Sequence, residues 1–366
     1  MARSHKTWIE ISKSALENNL SVIRKFLGPN VKIAAVVKSN SYGHGLVETA
    51  KLFSKCGADW FCVDNVDEAV TLRKIGIKNP VLVLGFTPAT RFKEAIKNDL
   101  RLTLYNIPDK KTDYKKIKFH LKIDTGMSRQ GVLLSELSGF LKKLPPDINI
   151  EGLSTHFANA DVSDRSYPKL QFNNFVIASQ VLENAGIKPA IRHACASAAM
   201  LTMPEAHFDL VRPGILLYGL WPSALLAQRF KHLNIKPALS WKTRVDQIKN
   251  IKQNTPVGYG ITERVKKDTT IAVLPVGYYD GYDRGLSSIA DVLLDGTRCK
   301  VLGRVSMNLM VVDISKVKNP RVGDEVVLIG EQGEEKITAE EIAEKIGTIA
   351  YEIVTRITPL LQRLYL

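Results

Sequence analysis

The stretch AAVVKSNSYGHG, residues 34–45, decides how this chain is read. Four apolar residues run straight into Lys38, and the pattern then breaks into Ser, Asn, Tyr, Gly and His. A buried strand ordinarily closes on a neutral residue or a turn former. A lysine in that place points to chemistry at the strand end. Held there, desolvated or beside other cations, it sheds its proton and serves as nucleophile or base.

Working outward, VKIAAVV (31–37) is the first of eight similar runs. The others are WFCV (60–63), PVLVLG (80–85), RLTLYN (101–106), KFHLKID (118–124), IEGLSTHF (150–157), PAIRHAC (189–195) and FDLVRPG (208–214). None alternates strictly, as expected of strands covered on both faces. The gaps GLVETAKLFSKCG, NVDEAVTLRKIG and QFNNFVIASQVLENAG space apolar residues three and four apart and end on Gly, a helix stop. The gap NIPDKKTDYKK is too polar and short for a good helix. Eight strands alternating with helices predict a (β/α)8 TIM barrel. KSNSYGHG lacks the G-x-G-x-x-G spacing that an open dinucleotide-binding sheet would show. Beyond residue 232 the texture becomes strands with Gly-containing turns: LSWKTRVDQIKNI, TTIAVLPVGYYDG, ADVLLDGTRCKVLGRVSMNLMVVDIS and DEVVLIGEQGE. We therefore expect a barrel over 1–232 and a mostly β C-terminal domain over 233–366. Thr338 and Glu341 are spaced for a capping box before TAEEIAEKIGT.

Composition narrows the class. The chain has 366 residues, 45% hydrophobic and 24% charged, as globular proteins do. The longest apolar stretch, GILLYGLWPSALLA, is short and carries Pro222, so no membrane partner is expected. MARSHKTWIEISKS has no apolar core of signal-peptide length. Four scattered cysteines, none at metal-ligand spacing, suit a reducing cytoplasm and no metal. The net charge is +14, but no aromatic ladder or nucleic-acid motif accompanies DKKTDYKKIKFHLK, so no nucleic-acid partner is expected.

In such a barrel, function gathers at the C-terminal strand ends. Lys38, Lys122 with Asp124 and Arg129, His156, His193 with Ser197, and Arg212 with Pro213, Gly214 and Ile215 all fall there. Taken singly, each is an ordinary strand-end residue near solvent. Together, an imine-forming lysine and a backbone turn at Gly214, where barrels commonly bind phosphate, suggest pyridoxal phosphate.

The chain also resembles the alanine racemase family of fold-type III pyridoxal-phosphate enzymes. AAVVKSNSYGHG is similar to the family's cofactor-lysine motif, usually Val-Lys-Ala-Asn-Ala-Tyr-Gly-His-Gly. LKIDTGMSRQG (121–131), STHFANAD (154–161), LVRPGILLYG (210–219), LPVGYYDGYDR (274–284), GRVSMN (303–308) and YEI (351–353) match further blocks in the same order. The resemblance implies interconversion of L- and D-alanine by two bases, feeding peptidoglycan synthesis. It implies that Lys38 carries pyridoxal 5'-phosphate, that Tyr42, Ser197, Gly214, Ile215 and Tyr351 hold its phosphate, that Arg212 faces the pyridine nitrogen and that His156 lies against the ring. Arg129 would reach the substrate carboxylate, and Lys122 would be carbamylated to orient it. Tyr278 would be the second base and Met307 a substrate contact, both given across a homodimer with shared active sites.

The physics of those roles is coherent. Two bases on opposite faces of Cα invert it without the substrate turning over. An unperturbed tyrosine titrates near ~10, so such a phenol needs cationic neighbours to act near neutral pH. A guanidinium has donors and no acceptor, so Arg212 would limit carbanion delocalisation and suppress transamination.

Alternatives stay open at this point. Tyr259 in VGYGIT competes with Tyr278, Lys122 could simply pair with Asp124, Met307 could be core, and His44 reads as structural. A broad-specificity or serine racemase of the same fold is the nearest rival, because an extra methylene or hydroxyl changes binding only modestly. A non-catalytic pyridoxal-phosphate homeostasis protein is the rival from another class; a single barrel, it would lack residues 233–366. The chain departs from the family pattern at Ala196 (commonly Asn), at Asn308 (commonly Asp) and in its ending, LLQRLYL.

Overall fold

The structure, a computed structural model, describes residues 5–109 and 111–366. The chain divides into two units: Ala15–Ser41 with Leu46–Lys236, and residues up to Ser14 with Tyr42–Gly45 and Pro237–Leu366.

The first unit is the barrel. Its strands are Lys32–Val36, Trp60–Val63, Val81–Val83, Leu100–Leu104, Lys118–Asp124, Asn149–Ser154, Ile191–His193 and Leu210–Val211. Every neighbouring pair is parallel, and the eighth strand returns to the first through Leu210↔Lys32 and Val211↔Ile33. Among the described residues, the seventh and eighth strands are joined by the single bridge Ala196↔Arg212. All eight expected runs form strands, and WFCV is buried along its whole length. Helices cover one face and the barrel interior the other, which is why alternation is missing.

The expected helices also form, as Leu46–Lys55, Val66–Lys74 and Ser166–Asn184. Val66–Lys74 shows why. Asn65 caps it by accepting the Glu68 N–H at 2.9 Å. Asp67 and Glu68 sit in its first turn and Arg73 and Lys74 in its last, matching the helix dipole. Val66, Ala69 and Leu72 face the barrel, and Gly76 ends the segment at φ 91°. The described residues between the fourth and fifth strands contain no helix, as their polarity predicts.

The second unit is mostly β. Its main sheet includes Leu239–Arg244, Gln247–Ile251, Thr269–Leu274, Asp291–Leu294, Thr297–Leu302, Met310–Asp313 and Glu325–Gln332. The strand Thr7–Ile11 belongs to this unit, although the sequence reading places residues 1–232 together in the barrel. It pairs antiparallel with Leu239–Arg244 and parallel with Arg363–Tyr365. The unusual ending LLQRLYL thus supplies a strand. Its Arg363 Nε donates to the Gly43 carbonyl at 2.8 Å and its Tyr365 hydroxyl to the His44 carbonyl at 2.7 Å. A Cβ on Gly43 would lie 2.0 Å from the Val354 carbonyl oxygen, and one on Gly45 2.0 Å from the Tyr365 hydroxyl. Only glycines admit this packing of Tyr42–Gly45. Thr338 accepts the Glu341 N–H at 3.1 Å, but the Glu341 carboxylate goes to Arg298 at 2.8 Å, so only half of the expected capping box forms. Among the described residues no helix is long and apolar enough to cross a membrane.

Candidate active site

The first barrel strand ends at Val36, and the chain leaves it in an uncommon turn. Ser39, Asn40, Ser41 and Tyr42 are all left-handed, at φ 44°, 54°, 53° and 51°. Each such residue costs of order ~1 kcal/mol, so the surroundings must over-determine the turn. Ser41 N–H donates to the Val37 carbonyl at 2.8 Å. Asn40 N–H donates to Glu68 Oε1 at 3.2 Å, and Asn40 Oδ1 accepts the Leu46 N–H at 2.9 Å. Glu68 Oε2 accepts the Asp64 N–H at 2.9 Å. Lys38 therefore opens a left-handed turn pinned from several sides, which fixes where the strand stops. Its Nζ lies 3.4 Å from Asp64 Oδ1. The side chains are 37% and 49% exposed, so this pair orients Lys38 more than it stabilises the fold. Sequence reasoning missed Asp64; its one signal is an acid directly after the buried strand WFCV.

Asp124 ends the fifth strand and organises the loop after it. Its Oδ1 accepts the N–H groups of Gly126, Met127 and Ser128 at 2.9, 2.8 and 3.1 Å, and its Oδ2 accepts that of Arg129 at 3.0 Å. Burial raises the Asp124 pKa, but the four backbone donors outweigh it and hold the carboxyl below its ordinary value. With its oxygens spent, Asp124 is not the hydrogen-bond partner of Lys122. Lys122 Nζ donates instead to Gln130 Oε1 at 3.2 Å. Burial, then the charges of Arg212, Arg129 and Lys38, push Lys122 down to about 8 against the pull of Asp124. Gln130 is the second residue that the sequence did not flag. Lys122, Arg129, Gln130 and His156 line one small cleft.

His156 and Arg212 complete the barrel rim. Burial, then Arg212, Arg129, Lys122 and Lys38, press His156 down to about 3, so its imidazole is neutral. Arg212 is buried, and its Nη2 donates to the carbonyls of Thr155 at 2.7 Å and Ala194 at 3.0 Å. Its Nη1 bonds His193 Nδ1. Among the described residues none of Lys122, Arg129 and Arg212 forms an ion pair. Ser197 opens a short helix behind Arg212, and its Oγ accepts the N–H groups of Gly214 at 3.0 Å and Leu216 at 3.4 Å.

In the β unit, Tyr278 N–H donates to the Ser306 carbonyl at 3.1 Å and Tyr279 N–H to the Met307 carbonyl at 3.0 Å. These bonds set Tyr278 beside Met307, both exposed. A Cβ on Gly277 would lie 2.2 Å from the Ser306 carbonyl oxygen, so only Gly allows the approach. Tyr42 and Tyr351 pack with ring centroids 6.0 Å apart. Tyr259, the competing tyrosine, sits in a separate turn between Gly258 and Gly260, both at positive φ. His44 Nδ1 bonds the Tyr42 carbonyl at 3.0 Å.

The barrel residues fit pyridoxal phosphate. Ser197 Oγ accepts two backbone N–H groups, which orients its own hydroxyl hydrogen as a donor suited to a phosphate oxygen. Lys38, Lys122, Arg129 and Arg212 act together on His156, an electropositive rim matched to an anionic cofactor and a carboxylate substrate.

Comparisons with known proteins agree. The family models "Alanine racemase, N-terminal domain" and "Alanine racemase, C-terminal domain" match residues 11–222 and 238–365. The alanine racemase of Methanococcus maripaludis is 41% identical over 375 residues, 99% of each chain. That of Carboxydothermus hydrogenoformans is 42% identical over 366 residues, covering 98% of this chain and 99% of the other. The crystal structure of the Bacillus anthracis alanine racemase with bound L-Ala-P superposes with a TM-score of 0.93 at 37% identity, covering 99% of this chain and 95% of that one. The chain belongs to the alanine racemase family of pyridoxal-phosphate-dependent isomerases.

Proposed function

We propose that this protein interconverts L-alanine and D-alanine, supplying D-alanine for peptidoglycan, with Lys38 and Tyr278 as the two residues that move protons. The observation that carries this reading is the cationic rim around a neutral His156, with Lys38 held at its edge by a strained turn. Pyridoxal phosphate, when bound, supplies the electron sink that acidifies the Cα proton of an attached amino acid.

The chain's own residues do the rest. Lys38 would anchor the cofactor through Nζ and carry a proton on one face of Cα. Tyr278 carries one at its phenolic oxygen on the other. One removes the Cα proton and the other returns a proton from the opposite side, so the centre inverts. Arg129 takes the substrate carboxylate, with Lys122 behind it as a carbamate. Ser197, Gly214, Ile215, Tyr42 and Tyr351 would hold the phosphate, and His156 would lie against the ring. Arg212 would face the ring nitrogen; having donors and no acceptor, it would not support a protonated nitrogen there. Met307 would give the substrate a backbone contact from the second copy.

Lys38 belongs to the barrel unit and Tyr278 and Met307 to the β unit, which supports an isologous homodimer in which each β unit serves the barrel of the second copy. The four cysteines are all unpaired, which supports a cytoplasmic location. The test is a chirality-resolved assay of the purified protein over a panel of L-amino acids. Dominant turnover of alanine is expected. Comparable turnover of serine and other side chains would replace this reading with a broad-specificity racemase, and none at all with a cofactor-binding protein.

A further inference from the structure

A polar chain runs down the inside of the barrel, away from the rim. Arg212 Nη1 bonds His193 Nδ1, His193 Nε2 lies 2.7 Å from His120 Nδ1, and His120 Nε2 lies 3.2 Å from Glu151 Oε2. The same Glu151 oxygen accepts from Arg101 Nε at 3.3 Å, and Arg101 stacks over Trp60 at 5.5 Å. His120 and His193 are 0% and 1% exposed. Polar rings in a barrel interior otherwise filled by apolar side chains need a reason.

The direction of every bond is forced. A guanidinium only donates, so His193 Nδ1 must accept, and His193 then has one hydrogen, on Nε2. That hydrogen donates to His120 Nδ1, which leaves His120 its hydrogen on Nε2, aimed at an acceptor-only carboxylate. Burial holds both imidazoles below their ordinary pKa, in the neutral form that this pattern needs.

Two local devices build the chain. The register between the fifth and sixth strands shifts at Phe119/His120, so that Ile150 pairs with Phe119 and Gly152 with His120. Glu151 is the extra residue of that bulge, and bulges re-aim side chains. Gly152 makes room for the ring: a Cβ there would lie 2.4 Å from His120 Nδ1.

We propose that Glu151, His120 and His193 form a one-way hydrogen-bond relay that fixes the orientation of Arg212, with Glu151 and His120 as positioning residues for the racemisation. The inference rests on the reading that Arg212 faces the cofactor's ring nitrogen. The carboxylate draws each hydrogen toward the barrel floor and makes His193 Nδ1 a better acceptor for Arg212. Arg212 thus stays a docked cation at one angle, and neither imidazole behind it can pass a proton forward, because both ring hydrogens point away from it.

Histidine 15N NMR of the protein, with and without pyridoxal phosphate, tests the relay itself. Both rings should be neutral Nε2–H tautomers, and Glu151→Leu should shift both ring signals, while Glu151→Gln, which keeps an acceptor, restores them. Gly152→Ala should disturb the same signals without removing a member of the chain. Other tautomers, or signals indifferent to Glu151→Leu, overturn the relay. In the holoenzyme, Glu151→Leu should lower kcat about tenfold with little change in the KM for alanine, shift the cofactor absorption band and raise pyruvate release. Tautomers as described, with absorption and partitioning unchanged in Glu151→Leu, would leave the relay standing but overturn its positioning role, because the Thr155 and Ala194 carbonyls would then suffice to hold Arg212; the placement of Arg212 at the ring nitrogen fails separately, if Arg212→Glu leaves absorption and partitioning unchanged.

Discussion

Lys122 is the residue whose chemistry the structure makes most specific. Its pKa is pushed down to about 8. At pH 8 about half of its amine is therefore neutral, against about 0.4% for an ordinary lysine near ~10.4. That is a gain of roughly a hundredfold in the form that attacks carbon dioxide. The nitrogen bonds to the carbon, one proton leaves to solvent, and the product is a carbamate anion. The environment favours that product twice over. Arg212, Arg129 and Lys38 repel an ammonium at this place and attract a carboxylate, while Asp124 has spent its oxygens on four backbone donors.

The assay is 13C NMR of the protein with labelled carbon dioxide at fixed dissolved concentration. One carbamate signal should rise as pH passes upward through about 8, and it should be absent from Lys122→Ala. The same variant should raise the KM for alanine about tenfold, more than it lowers kcat, because Arg129 loses the anion that orients it. A midpoint above 10, or a signal surviving Lys122→Ala, would refute the electrostatic argument. A normal KM in a variant proven to lack the carbamate would refute its role behind Arg129.

Lys38→Ala should lose the yellow cofactor band while staying folded, since it removes a rim residue; a borohydride-reducible adduct that persists would place the cofactor on another lysine. Arg212→Glu should slow racemisation and raise pyruvate release from alanine, and unchanged partitioning would move Arg212 away from the ring nitrogen. Gly277→Ala should cost roughly 1–3 kcal/mol by denaturant unfolding and lower kcat, because the Cβ meets the Ser306 and Met307 carbonyls at 2.2 and 2.5 Å; a neutral result would mean that the Tyr278 turn relaxes freely. Lys38→Ala and Tyr278→Phe, each nearly inactive alone, should return about a quarter of wild-type activity when co-expressed, since about half the dimers are mixed and each has one good site of two. Verified mixed dimers that stay inactive would mean that Tyr278 serves its own chain or that Tyr259 is the base.

The barrel residues that composition and spacing pointed to share one property: each sits near or just beyond the end of a strand that its own composition declares. WFCV and KFHLKID are strands because β-branched and aromatic side chains fill two buried faces, and Lys38, Lys122 and His156 stand out because polarity begins where burial stops. The residues that sequence reasoning missed are those whose role depends on a register or a partner elsewhere. Asp64 and Gln130 matter only because separate loops bring them to Lys38 and Lys122. Thr7–Ile11 is a strand because Leu239–Arg244 and Arg363–Tyr365, hundreds of residues away, flank it. Glu151 is the sharpest case. In IEGLSTHF it is one acid in an apolar run, ordinary on a barrel's outer surface. One bulge turns it toward His120, and one missing methyl at Gly152 lets the imidazole in. Neither change alters composition or periodicity, and both are set by pairing with a strand about thirty residues earlier. A sequence shows where a barrel keeps its chemistry, because strand ends are local; what stands behind that chemistry is decided by register, and register is not.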